Sequence, residues 1–141
     1  MTEGAAIALD SERRKLAIDL ISFLETGVAD GSLFSSDVFF DVTVPHWRIQ
    51  AAGREDAIAL RLAQHPAPGH VVRSRLDETS TGFVLEFEER WEQHGQSWYA
   101  REIARADVDE NRITQLSVYC TGDWDVEREE HHRRAVRLLR P

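Results

Sequence analysis

The sequence predicts an α+β domain built on an antiparallel sheet, and three observations point there. From Thr81 to Trp91 the chain alternates, with Phe83, Leu85, Phe87, Glu89 and Trp91 on one face and Val84, Glu86, Glu88 and Arg90 on the other, because successive side chains of a strand point to opposite sides. One face is apolar with a single acid in it and the other is mostly charged, as in a sheet with one side against a core or cavity. Two further segments, Ser97 to Asp107 and Arg112 to Cys120, continue the alternation after turns at Gly95-Gln96 and Glu110-Asn111. Near the N-terminus, by contrast, Leu16, Ala17, Leu20, Ile21, Leu24 and Val28 recur at helical spacing.

The elements follow in order. A first helix is predicted from Asp10 to Val28, with Asp10 or Ser11 as its cap and Gly27 and Gly31 marking its end. Leu33 and Phe34 fall in a short turn or helix. Val38 to Val44 reads as a strand, β-branched and aromatic, stopped by Pro45. A loop from His46 to Gly53 contains Trp47. Arg54 to Gln64 reads as a short helix, apolar at Ala57, Ile58 and Leu62, and Pro66 and Pro68 stop it. His70 to Glu78 opens the sheet's meander. After Cys120, residues 126–140 form a charged terminal helix.

Matching the apolar faces sets a register, since a one-residue slip turns every side chain over. It pairs Phe87 with Ala104 and Glu89 with Glu102, then Glu102 with Tyr119. A turn at Thr79-Ser80 places Val72 opposite Phe87 and His70 opposite Glu89. One inward row then reads His70, Glu89, Glu102, Tyr119, and a single bulge breaks it. On the outer face this register leaves Val84, Tyr99, Ile103, Leu116, Val118 and Cys120 among charges. That mixed patch fits either a homodimer interface or cover from the terminal helix, and the dimer is the expected use.

Residues 1–141 suit one domain. The net charge of −8 argues against a nucleic-acid partner. Cys120 is the single cysteine, so no internal disulfide forms, as expected of a cytoplasmic protein. Met1 to Ala8 lacks the basic start and long apolar run of a signal peptide, and no run reaches the roughly 18 apolar residues of a membrane span. His131-His132 with Glu127 lacks a third convergent ligand, so no metal is expected.

The order helix, short helix, strand, short helix, long meander resembles the nuclear-transport-factor-2-like superfamily, in its SnoaL-like branch. The pieces that carry the resemblance are Leu33-Phe34-Ser-Ser-Asp37-Val38-Phe39-Phe40, Gly53-Arg-Glu-Asp-Ala57, Asn111-Arg-Ile-Thr-Gln-Leu-Ser-Val-Tyr119 and Gly122-Asp-Trp-Asp125. The resemblance implies a cone-shaped, strongly curved antiparallel sheet wrapped by N-terminal helices, with a pocket inside the cone, and often a dimer on the sheet's outer face. It also implies a small apolar or cyclic metabolite as ligand and no cofactor. The group includes ketosteroid isomerase, scytalone dehydratase, limonene epoxide hydrolase and polyketide cyclases, alongside non-catalytic modules. This chain's tyrosines, Tyr99 and Tyr119, fall on strands, whereas ketosteroid isomerase carries its oxyanion donor on the first helix. His70, Glu102 and Tyr119 are similar in type to the set scytalone dehydratase uses.

Each candidate has two readings. Glu89 and Glu102, close together in an apolar cavity, cannot both ionise easily, so one stays protonated and the pair can act as acid and base; otherwise they form a solvated rim. Tyr119 can donate to an oxyanion, and His70 can shuttle a proton. His46 lies at a pocket mouth or in an exposed loop. Asp41, on its strand, is a base or faces outwards. Trp47, Phe83, Phe87, Trp91, Trp98 and Trp124 either wall a ligand site or belong to core and interface. Ala100, Ala104 and Ala106 leave room for a ligand or for a closely packed helix. Two functions follow: a cofactor-free isomerase, cyclase or dehydratase acting by acid/base chemistry, or a non-catalytic ligand-binding or interaction module.

Overall fold

The computed structural model describes residues 3–140, with side chains from residue 12 onwards. Helix α1 (Glu3–Thr26) leads into strand β1 (Phe34–Val44), which turns back as β2 (Trp47–Ala52). Helix α2 (Arg54–Gln64) follows, then β3 (Gly69–Glu78), β4 (Gly82–Gln93), β5 (Gln96–Asp109) and β6 (Arg112–Cys120), and last helix α3 (Val126–Ala135). The α+β class is as the alternation and the helical spacing predict. Residues 46–53 correct the reading: Trp47 to Ala52 pair with Phe39 to Val44 as a hairpin. Helix α1 starts earlier than expected, so Asp10 and Ser11 lie within it rather than at its cap; their side chains are outside the described residues. The terminal helix stops at Ala135, well short of Arg140.

The sheet order is β2-β1-β6-β5-β4-β3, curved and unclosed. It is mixed, which corrects the all-antiparallel expectation: β1 and β6 pair in parallel, and every other neighbour is antiparallel. The reason is topological. The chain leaves β2 through α2, enters the sheet again at its far edge, and returns strand by strand until β6 closes against β1. Register shifts interrupt β1/β6, β3/β4 and β5/β6, and such bulges bend a sheet and increase its twist.

Helix α1 packs on β3 and β4, and α2 packs on β1 and β2. The buried face of α1 carries Leu16, Ala17, Leu20, Phe23 and Leu24, while Val28 is exposed. Gly27, at φ 76°, ends the helix, donating its N–H to Phe23 O at 2.7 Å, a left-handed position that favours glycine. Phe23, Phe34 and Phe40 stack edge to face with centroids 5.3 and 5.1 Å apart. Phe83, Leu85 and Phe87 of β4 lie in the same core as Ala104 and Ala106 of β5.

The two-residue turn between β4 and β5 is His94-Gly95, with Gln93 opposite Gln96. This moves the pairing two residues from the expected register, so Phe87 faces Glu102 and Glu89 faces Ala100. Because the slip is even, both acids still point inwards. The two other slips are odd. At β5/β6 the turn is Glu110-Asn111 as expected, but Val108 faces Ile113 while Asp107 faces Gln115. Thr114 is the extra residue, and its hydroxyl donates to Asp107 O at 3.2 Å. From there on Tyr119 points outwards, 55% exposed, and Leu116, Val118 and Cys120 point inwards. These three are therefore not part of the outer patch. At β3/β4 Val72 is the extra residue between Val71, opposite Glu89, and Arg73, opposite Glu88. His70 then faces Arg90 and is exposed.

Candidate functional site: a buried acid pair beside an apolar cavity

The parallel pairing of β1 with β6 sets Phe40 beside Leu116 and Val42 beside Val118. These side chains form one wall of a cavity of about 380 Å³. Phe23 and Leu24 from the end of α1 close another side, and Arg61, Gln64 and His65 from the end of α2 a third. Val44 and Pro45 of the β1–β2 hairpin line it, as do Cys120, Gly122 and Asp123. Glu102 from β5 is its buried acid, and Asp123 its exposed one.

Behind Glu102 stands an ion pair. Arg61 grips Glu89 with both terminal nitrogens, Nη2 to Oε1 at 2.5 Å and Nη1 to Oε2 at 3.2 Å, and Nη2 also donates to Leu24 O at 2.9 Å. The Arg61 and Glu89 side chains are 11% and 4% exposed. The guanidinium is thus spent on Glu89 and on the last turn of α1. Glu102 is 6% exposed, and its Oε2 is sealed from solvent with no hydrogen-bond donor among the described residues directed at it.

Burial raises the Glu102 carboxyl well above its ordinary range, and its hydrogen bond with Glu89 and the charge of that neighbour add to the rise. Burial also opposes ionisation of Glu89. There the hydrogen bond from Glu102 and the Arg61 guanidinium outweigh it and hold the carboxyl below its ordinary value. The two acids share one proton, resident on Glu102. A carboxyl oxygen without a donor is tolerated when it carries that proton itself.

The remaining polar groups are muted. Burial, helped by the charge of Arg61, pushes His65 down to about 4. Its ring meets Trp91 edge-on, centroids 4.5 Å apart. Burial pushes the Cys120 thiol up to about 12, with Glu102 contributing, so it is a weak acid and a poor nucleophile. Asp123, at the exposed rim, is raised by partial burial and then by Glu89.

Of the residues expected in the site, Glu102 lines the cavity and Glu89 backs it. Tyr119 and His70 do not join them, for the two bulges described above. His46 occupies the β1–β2 turn at φ 63°, exposed. Asp41 faces outwards and accepts from Arg48 Nε at 2.8 Å and Nη2 at 2.5 Å. Phe83 and Phe87 belong to the core, and Trp91 is buried beneath His65. Trp98 sits opposite Trp91 and donates to Gln93 O at 3.3 Å. Trp124 packs on the outer side against Tyr99 and His132. Trp47 shares the cavity face with Val44, directly opposite it, but stands at the rim 69% exposed. Among the described residues no cluster of three His, Cys, Asp or Glu is placed to hold a metal ion.

The sequence reading missed Arg61, Gln64, His65, Cys120 and Asp123. A signal for two of them was present: Ala57 and Arg61 on α2, and His65 at its C-terminal cap, recur every four residues, and Ala57 is fully buried. A charge on the buried stripe of a short helix needs a partner.

No family model and no curated protein matches the chain. Solved structures do. A nuclear-transport-factor-2-like protein from Anabaena variabilis is 18% identical, with a TM-score of 0.71 over 87% of this chain and 96% of that one. A candidate polyketide cyclase from Xanthomonas campestris is 15% identical, TM-score 0.62, over 77% and 90%. A candidate ketosteroid isomerase from Kribbella flavida is 13% identical, TM-score 0.59, over 93% and 92%. At these identities the likeness is one of fold.

Proposed function

We infer from this nuclear-transport-factor-2-like fold, a curved α+β sheet with helices on its inner face, that the chain holds a small, mostly apolar ligand and exchanges a proton with it through Glu102. The observation that carries the reading is the buried Glu102–Glu89 pair at the edge of a cavity otherwise walled by Phe, Leu and Val. Its volume lies at the lower end of the roughly 300–1,000 Å³ of small-molecule sites. A carboxyl whose hold on its proton is raised, beside one whose hold is lowered, is an acid/base arrangement. Arg61 stabilises the negative charge behind it. Isomerisation, cyclisation and dehydration each need one group that takes a proton and returns it, and no cofactor enters this reading. The names given to two structural neighbours, a cyclase and an isomerase, lend it support at the level of fold.

A second reading rests on the same ion pair: Arg61, Glu89 and Leu24 O also lock α2 to α1 and β4, so the site can bind without catalysing. Amide chemical-shift mapping with a library of small cyclic compounds separates these outcomes. Binding shifts Val42, Leu116 and Val118 and is abolished by Val118→Phe, which fills the cavity. Deuterium exchange at a carbon of the bound ligand, lost in Glu102→Gln, marks catalysis, and binding without such exchange marks the module. Ligands that bind Val118→Phe as well as the wild type rule out the cavity.

On the outer face, Ile103 and Tyr119 are 39% and 55% exposed and lie opposite each other on β5 and β6. They support pairing of two copies through the sheet. Light scattering is expected to give twice the chain mass for the wild type and the chain mass for Tyr119→Glu; a monomeric wild type disproves it.

A further inference from the structure

We propose that the cavity takes its ligand tail first: an amphipathic molecule whose apolar end lies against Phe40 and Leu116 and whose single polar head stays at the mouth, level with Glu102. This rests on the ligand-binding reading above and adds the direction of entry and the class of ligand. Three observations carry it.

The first is a gradient of burial along two strands. Strands β1 and β6 run parallel, so their inward side chains pass from the closed end of the cavity to its open end in the same direction. On β1, Phe40 and Val42 are buried and Val44 is half-buried, and Pro45 just beyond them is exposed. On β6, Leu116 is buried and Val118 and Cys120 are half-buried, and Asp123 past its end is exposed. The floor therefore lies at Phe40 and Leu116. Phe23 joins them there, with the buried ring of Phe34 in contact with both phenylalanines. The mouth lies past the ends of both strands. Cys120 follows Leu116 by four residues on β6, about 13 Å of strand.

The second is where the polar side chains stand. Opposite Leu116 and Val118, strand β5 offers Ala106 and Ala104, and its first inward polar group is Glu102, opposite Cys120. The groups from the end of α2 stand higher still. Arg61 is held by Glu89, which faces Ala100, and the ring of His65 meets Trp91, which faces Trp98. Gln64 lies between these two in the chain and lines the cavity with them. Among the described residues, no polar side chain lines the cavity at the level of Phe40 and Leu116.

The third is the variety of polar groups at the mouth. Gln64 brings a donor and an acceptor, and Glu102 and Asp123 bring carboxyl oxygens. A head that donates and a head that accepts both find partners there. The site therefore reads where the head sits on the ligand rather than its polarity. A second polar group at the far end would lose its water against Phe40 and Leu116 and gain no partner.

The test uses one ring skeleton in three forms: naphthylmethanol, the same alcohol with a methyl group at the opposite end of the rings, and the diol with a hydroxymethyl group at both ends. Each is titrated calorimetrically and by amide shifts. The methyl compound and the diol differ by one hydroxyl at the far end. The diol is expected to bind at least about tenfold more weakly than the methyl compound. In the bound methyl compound, the ring methyl should give intermolecular NOEs to the Leu116 methyls, and the carbinol methylene to those of Val44. A diol that binds as tightly as the methyl compound, or a ring methyl whose NOEs go to Val44 and not to Leu116, overturns this inference and leaves the cavity reading intact. If none of the three shifts Val42, Leu116 or Val118, the ligand site itself is refuted.

Discussion

Glu102 keeps its proton because burial costs its charged form more than its surroundings return, and the nearest cation is already committed to Glu89. Carbon-detected NMR titration should find the Glu102 carboxyl well above 4.5, its ordinary value, and Glu89 below it. The Glu102 step should follow Glu89: in Glu89→Gln the neighbouring charge is gone and Glu102 titrates lower. A pair that both titrate near 4.5 contradicts the shared proton. Sequence alternation alone placed both carboxylates on the inner face, because period two survives an even slip of register. It could not place Tyr119 or His70, because Thr114 and Val72 each add one residue to a ladder, and nothing local in an alternating strand announces that.

Arg61 acts at the scale of elements. Its side chain spans from α2 to Glu89 on β4 and to the end of α1, so it ties together two walls of the cavity and the strand behind Glu102. Arg61→Met strands a buried carboxylate, and the expected loss is about 3–5 kcal/mol in urea unfolding. Arg61→Met with Glu89→Leu should recover most of it, since the apolar pair leaves no charge behind; a double variant as unstable as the single one would contradict this. The turn between β5 and β6 offers the opposite case. Glu110 and Asn111 lie at φ 49° and 59°, the left-handed geometry of a two-residue hairpin. Asparagine adopts it more readily than glutamate. Glu110→Asn should therefore stabilise by about 0.5–1 kcal/mol, visible as a higher urea midpoint with unchanged slope. That turn was legible in the sequence because hairpin geometry is local. The parallel contact of β1 with β6 was not, because it joins segments that no turn connects.

For the whole molecule, pH dependence is set by two buried groups of opposite sign. His65 is lowered from 6.5 to about 4, so it contributes stability that is present above 6.5 and lost as pH falls through 4. Glu102 is raised above 4.5, so its contribution is present below 4.5 and lost as pH rises through its folded value. Above 4.5 the unfolded chain holds the His65 proton up to 6.5 and the folded chain holds the Glu102 proton up to its raised value, so over that stretch the two slopes oppose. Each is about 1.4 kcal/mol per pH unit at full effect. The wild type should vary less with pH there than either single variant. His65→Phe, which keeps a ring against Trp91, should fall with rising pH, and Glu102→Gln should rise. Parallel curves for all three proteins would show that neither group is buried as described. No helix among the described residues is long and apolar enough to cross a membrane.

By itself the sequence determined the α+β class, helix α2 to its ends, the long meander and the inward face of Glu89 and Glu102. Those follow from periodicity, Pro and Gly punctuation and turn chemistry, all of which act over a few residues. Only the tertiary structure decided that the acids lie diagonally rather than opposite, that Arg61 is the partner of Glu89, and that the cavity opens beside β1 and β6 rather than along the predicted row. These depend on bulges and on a contact between the first strand and the last, and long-range pairing is settled by the packing of the whole core.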